Sequence, residues 1–183
     1  MDTSLKQTYS ELWQGDDTTR YNALITMMQR TDQPVDWAYE VWDDLITKLK
    51  DQDNHVRARA AQLLCNLAKS DPKGRMSKNL ERVMIVTHDP RFVTARHTLQ
   101  NVWKVGLAGT KQRRLVLNAL AARFEDASTE KNCTLVRYDI EVGLRHLFDA
   151  TSDAAVRKLA LELAKRETDL KYQKKYLGAW RGT

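Results

Sequence analysis

One stretch occurs twice in the chain. Asp53-Asn54-His55-Val56-Arg57-Ala58-Arg59-Ala60-Ala61-Gln62-Leu63-Leu64 returns as Asp153-Ala154-Ala155-Val156-Arg157-Lys158-Leu159-Ala160-Leu161-Glu162-Leu163-Ala164, with Asp, Val, Arg, Ala and Leu at the same offsets. An internal repeat constrains a fold strongly, because two copies of one pattern point to a shared structural solution. Turned at ~100° per residue from Val56, Ala60, Leu63, Leu64 and Leu67 share one sector of a helix. Ala61, Cys65 and Ala68 widen that sector to about half the circumference, broader than the stripe of a surface helix. Asp53 stands in front as an N-cap, its carboxylate able to accept from the first-turn N–H groups.

Arg57 interrupts the pattern. On the wheel it falls inside the apolar sector, between Leu64 and Ala68, and Arg157 falls in the matching place between Ala164 and Leu161. A cation there needs a partner, since an unpaired buried charge costs several kcal/mol. The expectation is that each guanidinium reaches a carboxylate or carbonyl at a neighbouring helix turn.

Helix breakers arrive at a regular beat: Gly15-Asp16-Asp17, Asp32-Gln33-Pro34, Asp51-Gln52-Asp53, Asp71-Pro72-Lys73-Gly74, Asp89-Pro90, Gly106 to Thr110, Asp126 to Asn132 and Asp149 to Asp153. They lie roughly 17–22 residues apart, which leaves helices of ordinary length between them. Nine helices are predicted, about two per 37–40 residues, a period that suits HEAT or armadillo repeats. Arg20 follows Asp16 at the spacing by which Arg57 follows Asp53, so the first pair reads as a worn copy. Gly143 falls inside the eighth predicted helix, and the pairing of the seventh, eighth and ninth stays open. The tail from Asp169 to Trp180 reads as a short extra helix or a tucked segment.

An Asp, then Val-Arg, then Ala and Leu at helical spacing resembles the HEAT repeat. The resemblance implies an all-α fold, a right-handed α-α superhelix of about four to five HEAT-like helical hairpins. It also implies one repeat domain over 1–183, with an atypical N-terminal cap over 1–33, repeats over 36–166 and a basic C-terminal tail over 167–183. In that family the Asp and Arg of successive repeats bond in a ladder, a role carried here to Asp53, Arg57, Asp153 and Arg157. The match is clear in the two quoted stretches, and periodicity carries the rest.

Composition narrows the class. With three Pro and seven Gly, 42% hydrophobic and 30% charged residues, the chain suits a helical protein rather than an all-β or disordered one. The opening Met1-Asp2-Thr3-Ser4-Leu5-Lys6 has no basic segment leading into an apolar core, and no apolar run approaches the ~18 residues of a membrane span. Cys65 and Cys133 show no pairing pattern and read as reduced thiols. A cytoplasmic protein without membrane contact is expected.

No catalytic, cofactor or metal residue is assigned. His55, His88, His97 and His146 are scattered, and no phosphate loop, nucleophile elbow or Cys-x-x-Cys occurs. Trp13, Trp37, Trp42 and Trp103 lie on apolar faces and read as core. Charge is more informative. Residues 1–53 hold 5 Lys and Arg against 11 Asp and Glu, whereas residues 54–183 hold 25 against 13. Arg75, Lys78 and Arg82 line one side of the fifth helix, and Lys111, Arg113 and Arg114 crowd the start of the seventh, where the helix dipole disfavours cations. With Arg59 on the polar arc of the repeated helix, these are the candidate partner- or anion-binding residues.

The expected function is a non-enzymatic scaffold or adaptor for an unidentified protein or peptide. The alternative is a nucleic-acid binder using the basic stripes. Architecture and charge are also similar to a family of alkylpurine DNA glycosylases built from HEAT-like repeats. That family's catalytic Asp and aromatic positions have no residue-by-residue match here, so none is carried over. Some lyases that act on tetrapyrrole-bearing proteins use HEAT-like repeats too, but no residue here marks such a site.

Overall fold

Aspartates start half of the helices in the computed structural model, which describes residues 1–182. The helices are α1 (Thr3–Glu11), α2 (Asp17–Arg30), α3 (Ala38–Lys48), α4 (Asn54–Leu67), α5 (Met76–Val86), α6 (Phe92–Val102), α7 (Thr110–Asp126), α8 (Cys133–Thr151), α9 (Ala154–Arg166) and α10 (Leu170–Gly178). The carboxylates of Asp2, Asp16, Asp53, Asp153 and Asp169 accept from the first turns of α1, α2, α4, α9 and α10. Each satisfies N–H groups that have no partner within the helix. No strand occurs among the described residues, so the all-α expectation holds. The tail forms the extra helix α10.

The chain gathers into two compact units, Met1–Thr98 and a second from Leu99 onward. In the first, α4 is the central element. It packs against α2, α3 and α5 and buries Ala58, Ala60, Ala61, Leu63, Leu64, Cys65, Asn66 and Leu67. Trp42 and Leu45 of α3 and Val83 of α5 are fully buried as well. Buried Asn66 donates from Nδ2 to the Met28 carbonyl at 2.9 Å and to Thr31 Oγ1 at 3.0 Å, which satisfies its two N–H groups.

In the second unit α8 packs against α9 and α10, and α7 packs against a 3₁₀ segment, Trp103–Ala108. This resolves the pairing that periodicity leaves open: α8 belongs with α9, and α7 takes the short 3₁₀ segment. Gly106 lies in that segment, and a Cβ there would meet Leu147 of α8 at 2.9 Å. Gly143 does not interrupt α8, which runs through it. Gly109 then adopts a φ of +142°, a glycine conformation, and starts α7 where the repeated helices carry Asp.

One joint is built twice. Arg57, four residues after the Asp53 cap, donates from Nε to Asp89 Oδ2 at 2.6 Å and from Nη1 to the carbonyls of Asp51 and Gln52 at 2.7 and 2.9 Å. Asp89 Oδ1 also accepts from the Arg91 N–H, at the start of α6. In the second unit Arg113, four residues after Gly109, donates to Asp153 Oδ2 at 2.8 Å, while Asp153 Oδ1 accepts from the Ala155 N–H of α9. Asp153 therefore caps α9 and Asp89 bonds the chain just before α6, while each holds an Arg from an earlier helix.

This revises the ladder. Arg57 finds a carboxylate as expected, but it is Asp89. Asp153 finds a cation, but it is Arg113 rather than an Arg of the repeated motif. Asp53 is an exposed cap. Arg157 is exposed, because α9 buries only the narrower stripe Val156, Ala160, Leu163 and Ala164. At α6 the position four after Asp89 is Val93, 63% exposed, which cannot make the bond.

The Arg57 and Asp89 side chains are only 17% and 3% exposed. Removing one partner leaves a poorly hydrated charge, so Arg57→Ala is expected to lower stability by about 2–4 kcal/mol, measured by urea unfolding at pH 7. Burial pushes the Asp89 carboxyl up, but the bonds from Arg57 and Arg91 outweigh it and hold it below its usual value. The joint's contribution is thus present above the unfolded carboxyl's pKa of about 4 and lost as pH falls through the lowered folded value. The stability gap between wild type and Asp89→Asn is expected to close in acid; a gap that stays constant to pH ~2 contradicts the joint.

Candidate functional site

The sequence-nominated cations separate into engaged and available ones. Arg59 is half-buried and donates to the Leu12 carbonyl at 3.2 Å, so it anchors the end of α1 rather than facing a partner. Burial, with Arg20 nearby, lowers its pKa. Arg75 lies 4.6 Å over the Tyr39 ring and 3.1 Å from Asp43 Oδ1. Arg113 belongs to the joint with Asp153. Lys78 and Arg82 in the first unit, and Lys111 and Arg114 in the second, remain exposed. Of the four tryptophans assigned to the core only Trp42 is fully buried; Trp13, Trp37 and Trp103 are half-buried.

Charge divides with the units. Residues 99–183 hold 16 Lys and Arg against 10 Asp and Glu, while residues 1–98 hold 14 of each, so the net +6 lies entirely in the second unit. Burial sharpens this. Asp139, Glu141 and Glu167 are buried in α8 and just beyond α9, leaving 11 exposed cations against 5 exposed carboxylates in that unit's described residues. Such an excess raises the local concentration of anionic partners.

Within this surface an open groove of about 620 Å³ runs along α9. Phe148, Ala154 and Leu161 supply apolar lining; Arg157, Lys158 and Lys165 supply cations; Ser152 and Glu162 complete it. Ser152 ends α8 in the left-handed conformation, φ 51°, with its N–H donating to the Phe148 carbonyl at 2.7 Å. That turn directs the chain into α9 and sets the groove's end. Lys158 and Lys165 were not nominated from sequence. Their signal was the spacing around Leu161, at i−3 and i+4 on one helix face.

Beneath this surface α8 buries several ionisable groups. Arg137 donates to Glu167 Oε2 and to the Phe124 carbonyl, both at 3.1 Å, with its guanidinium 4.5 Å over the Phe124 ring. The Tyr176 hydroxyl of α10 sits 2.7 Å from the Thr134 carbonyl and 3.1 Å from Glu167 Oε2. Burial pushes the Tyr176 phenol well up, helped by the Glu167 charge. Burial would raise Glu167 too, but bonds from Asp169, Arg137 and Tyr176 hold it below its usual value. Glu141 is 0% exposed and accepts from Trp180 Nε1 at 2.9 Å. Burial lifts its carboxyl from 4.5 to about 8, against the Trp180 bond. It is therefore mainly protonated at neutral pH. It lines neither the α9 groove nor the shallow one beside Arg82, so its role is in packing α10 against α8.

Among the described residues no group of three or more His, Cys, Asp or Glu side chains is placed to hold a metal ion. Among the same residues no helix is long and apolar enough to cross a membrane. Comparison of the sequence with models of known protein families and with curated proteins finds no match.

Glu141 generates a signed prediction. Its folded pKa lies above the unfolded value, so the folded state holds a proton that the unfolded state releases. Stability therefore falls as pH rises from about 4.5 toward 8, on the order of 3 kcal/mol by pH 7 from this group alone. Glu141→Gln is expected to remove that slope and to unfold at higher urea than wild type near pH 8. A wild-type slope unchanged in Glu141→Gln would contradict a buried neutral carboxyl.

Proposed function

We propose that this chain is a HEAT-like α-solenoid that serves as a non-enzymatic protein-interaction scaffold. Helices α4 and α6, and helices α7 and α9, are read as second-type helices of its repeats. The joints from Arg57 to Asp89 and from Arg113 to Asp153 favour this reading, because each links one such helix to the next in order. The observation that carries the functional reading is the division between engaged and available polar groups. Arg57, Asp89, Arg113, Asp153, Arg137 and Glu167 hold helices together, while Lys111, Arg114, Lys158 and Lys165 are exposed where a partner can reach them. A repeat array offers an extended surface for such contacts.

A nucleic-acid reading is the second one, favoured by the net +6 on residues 99–183. Phosphate binding is strongest at low salt and falls steeply as salt rises. The scaffold reading predicts hydrogen-exchange protection of the exposed faces of α7, α9 or α10 in nuclease-treated extract of the native cells. It also predicts no duplex DNA shift at ~50 mM salt. Protection absent in extract, together with tight and salt-sensitive duplex binding, would replace it with the nucleic-acid reading.

A further inference from the structure

We propose that the α9 groove is a docking site for an acidic amphipathic helix of a partner protein. The proposal rests on the scaffold reading and names the site and the chemistry of its occupant. Three features of the groove select that occupant. Phe148 and Leu161 make an apolar floor, and the Phe148 ring is backed by Trp180 at 5.8 Å between centroids, which gives the floor a firm base. Lys158 and Lys165 flank Leu161 along α9, with Arg157 beside them. The surrounding unit exposes about twice as many cations as carboxylates.

A phosphate backbone would match the cations but leave the floor unused and meet Glu162 within the lining. A neutral apolar helix would match the floor but not the rim. A helix with Leu or Phe anchors on one face, flanked by Asp or Glu, matches both, with anchors at i, i+3 or i+4, and i+7 as in other helix-in-groove complexes. Cations at the rim add encounter rate and orientation, while the apolar contacts hold the bound state.

The test uses the full chain and a synthetic helical peptide of ~18 residues, with Leu at i, i+4, i+7 and i+11 between Glu residues, followed by fluorescence anisotropy at ~150 mM salt. A scrambled peptide of equal charge, poly-glutamate and a short duplex are the comparisons. The expected result is binding of the amphipathic peptide at least about tenfold tighter than the scrambled one. Lys158→Glu combined with Lys165→Glu should weaken it about tenfold or more, while Lys111→Glu with Arg114→Glu, the same charge change off the groove, should cost about twofold or less. Leu161→Gln should weaken the amphipathic peptide and leave poly-glutamate unchanged. Circular dichroism of each variant checks that helix content is kept.

Equal affinity for amphipathic and scrambled peptides overturns the proposal, as does equal loss in the off-groove variant or tighter binding of the duplex. The two readings fail separately. A native protein partner whose binding ignores the Lys158→Glu and Lys165→Glu changes removes this groove and leaves the scaffold standing. Duplex binding with no protein partner removes the scaffold itself.

Discussion

The bond from an arginine one turn inside a helix to the aspartate that starts a later one underlies much of this fold. One carboxylate has two duties. Through one oxygen Asp89 accepts from the Arg91 N–H just before α6 and Asp153 from the first turn of α9; through the other they hold Arg57 and Arg113. The position of each later helix start is thus tied to the side of an earlier helix. An exposed pair such as Arg75 with Asp43 contributes about 1 kcal/mol or less, since water competes for both charges. Arg57 is different: Asp89 and two backbone carbonyls surround it, so the groups that desolvate it also satisfy it.

The second unit uses the same chemistry more densely. Helix α8 buries Arg137, Asp139 and Glu141 within five residues, and each has a partner from a distant segment: Glu167, Gln100 and Trp180. Arg123 is almost fully buried as well, held by both oxygens of Glu130. Helix α10 and the turn after it close this layer: the Tyr176 hydroxyl bonds Glu167, and Trp180 Nε1 donates to Glu141. Polar residues facing inward give up hydration, so they constrain packing through the geometry of their bonds. The docking of α10 is accordingly directional and not only apolar.

Burial of those carboxylates shapes the outside too. Acidic groups drawn into α8 leave the surface above them basic, and the cations of α9 and α10 stand without an equal number of counter-charges. Lys175 is partly engaged, 3.9 Å over the Tyr138 ring. Lys158 and Lys165 line the groove instead. The binding potential of the unit therefore follows from how its interior was satisfied.

By itself the sequence determined the helices and where most of them begin. Asp at the caps, Gly and Pro between them and apolar residues at helical spacing are local signals, and local hydrogen bonding enforces them. It also determined that Arg57 needed a partner, because a wheel shows a cation on an apolar face. Which partner was a tertiary matter. Asp89 and Asp153 lie 32 and 40 residues beyond the arginines they hold, and nothing local distinguishes them from other capping aspartates. The same gap made Arg113 look like a binding residue and Arg59 an exposed one. The wheel likewise placed Arg157 in an apolar sector, yet α9 buries a narrower face than α4, so that arginine reaches solvent. A periodic pattern states which side of a helix is apolar; only the neighbours that pack there decide how much of it is covered.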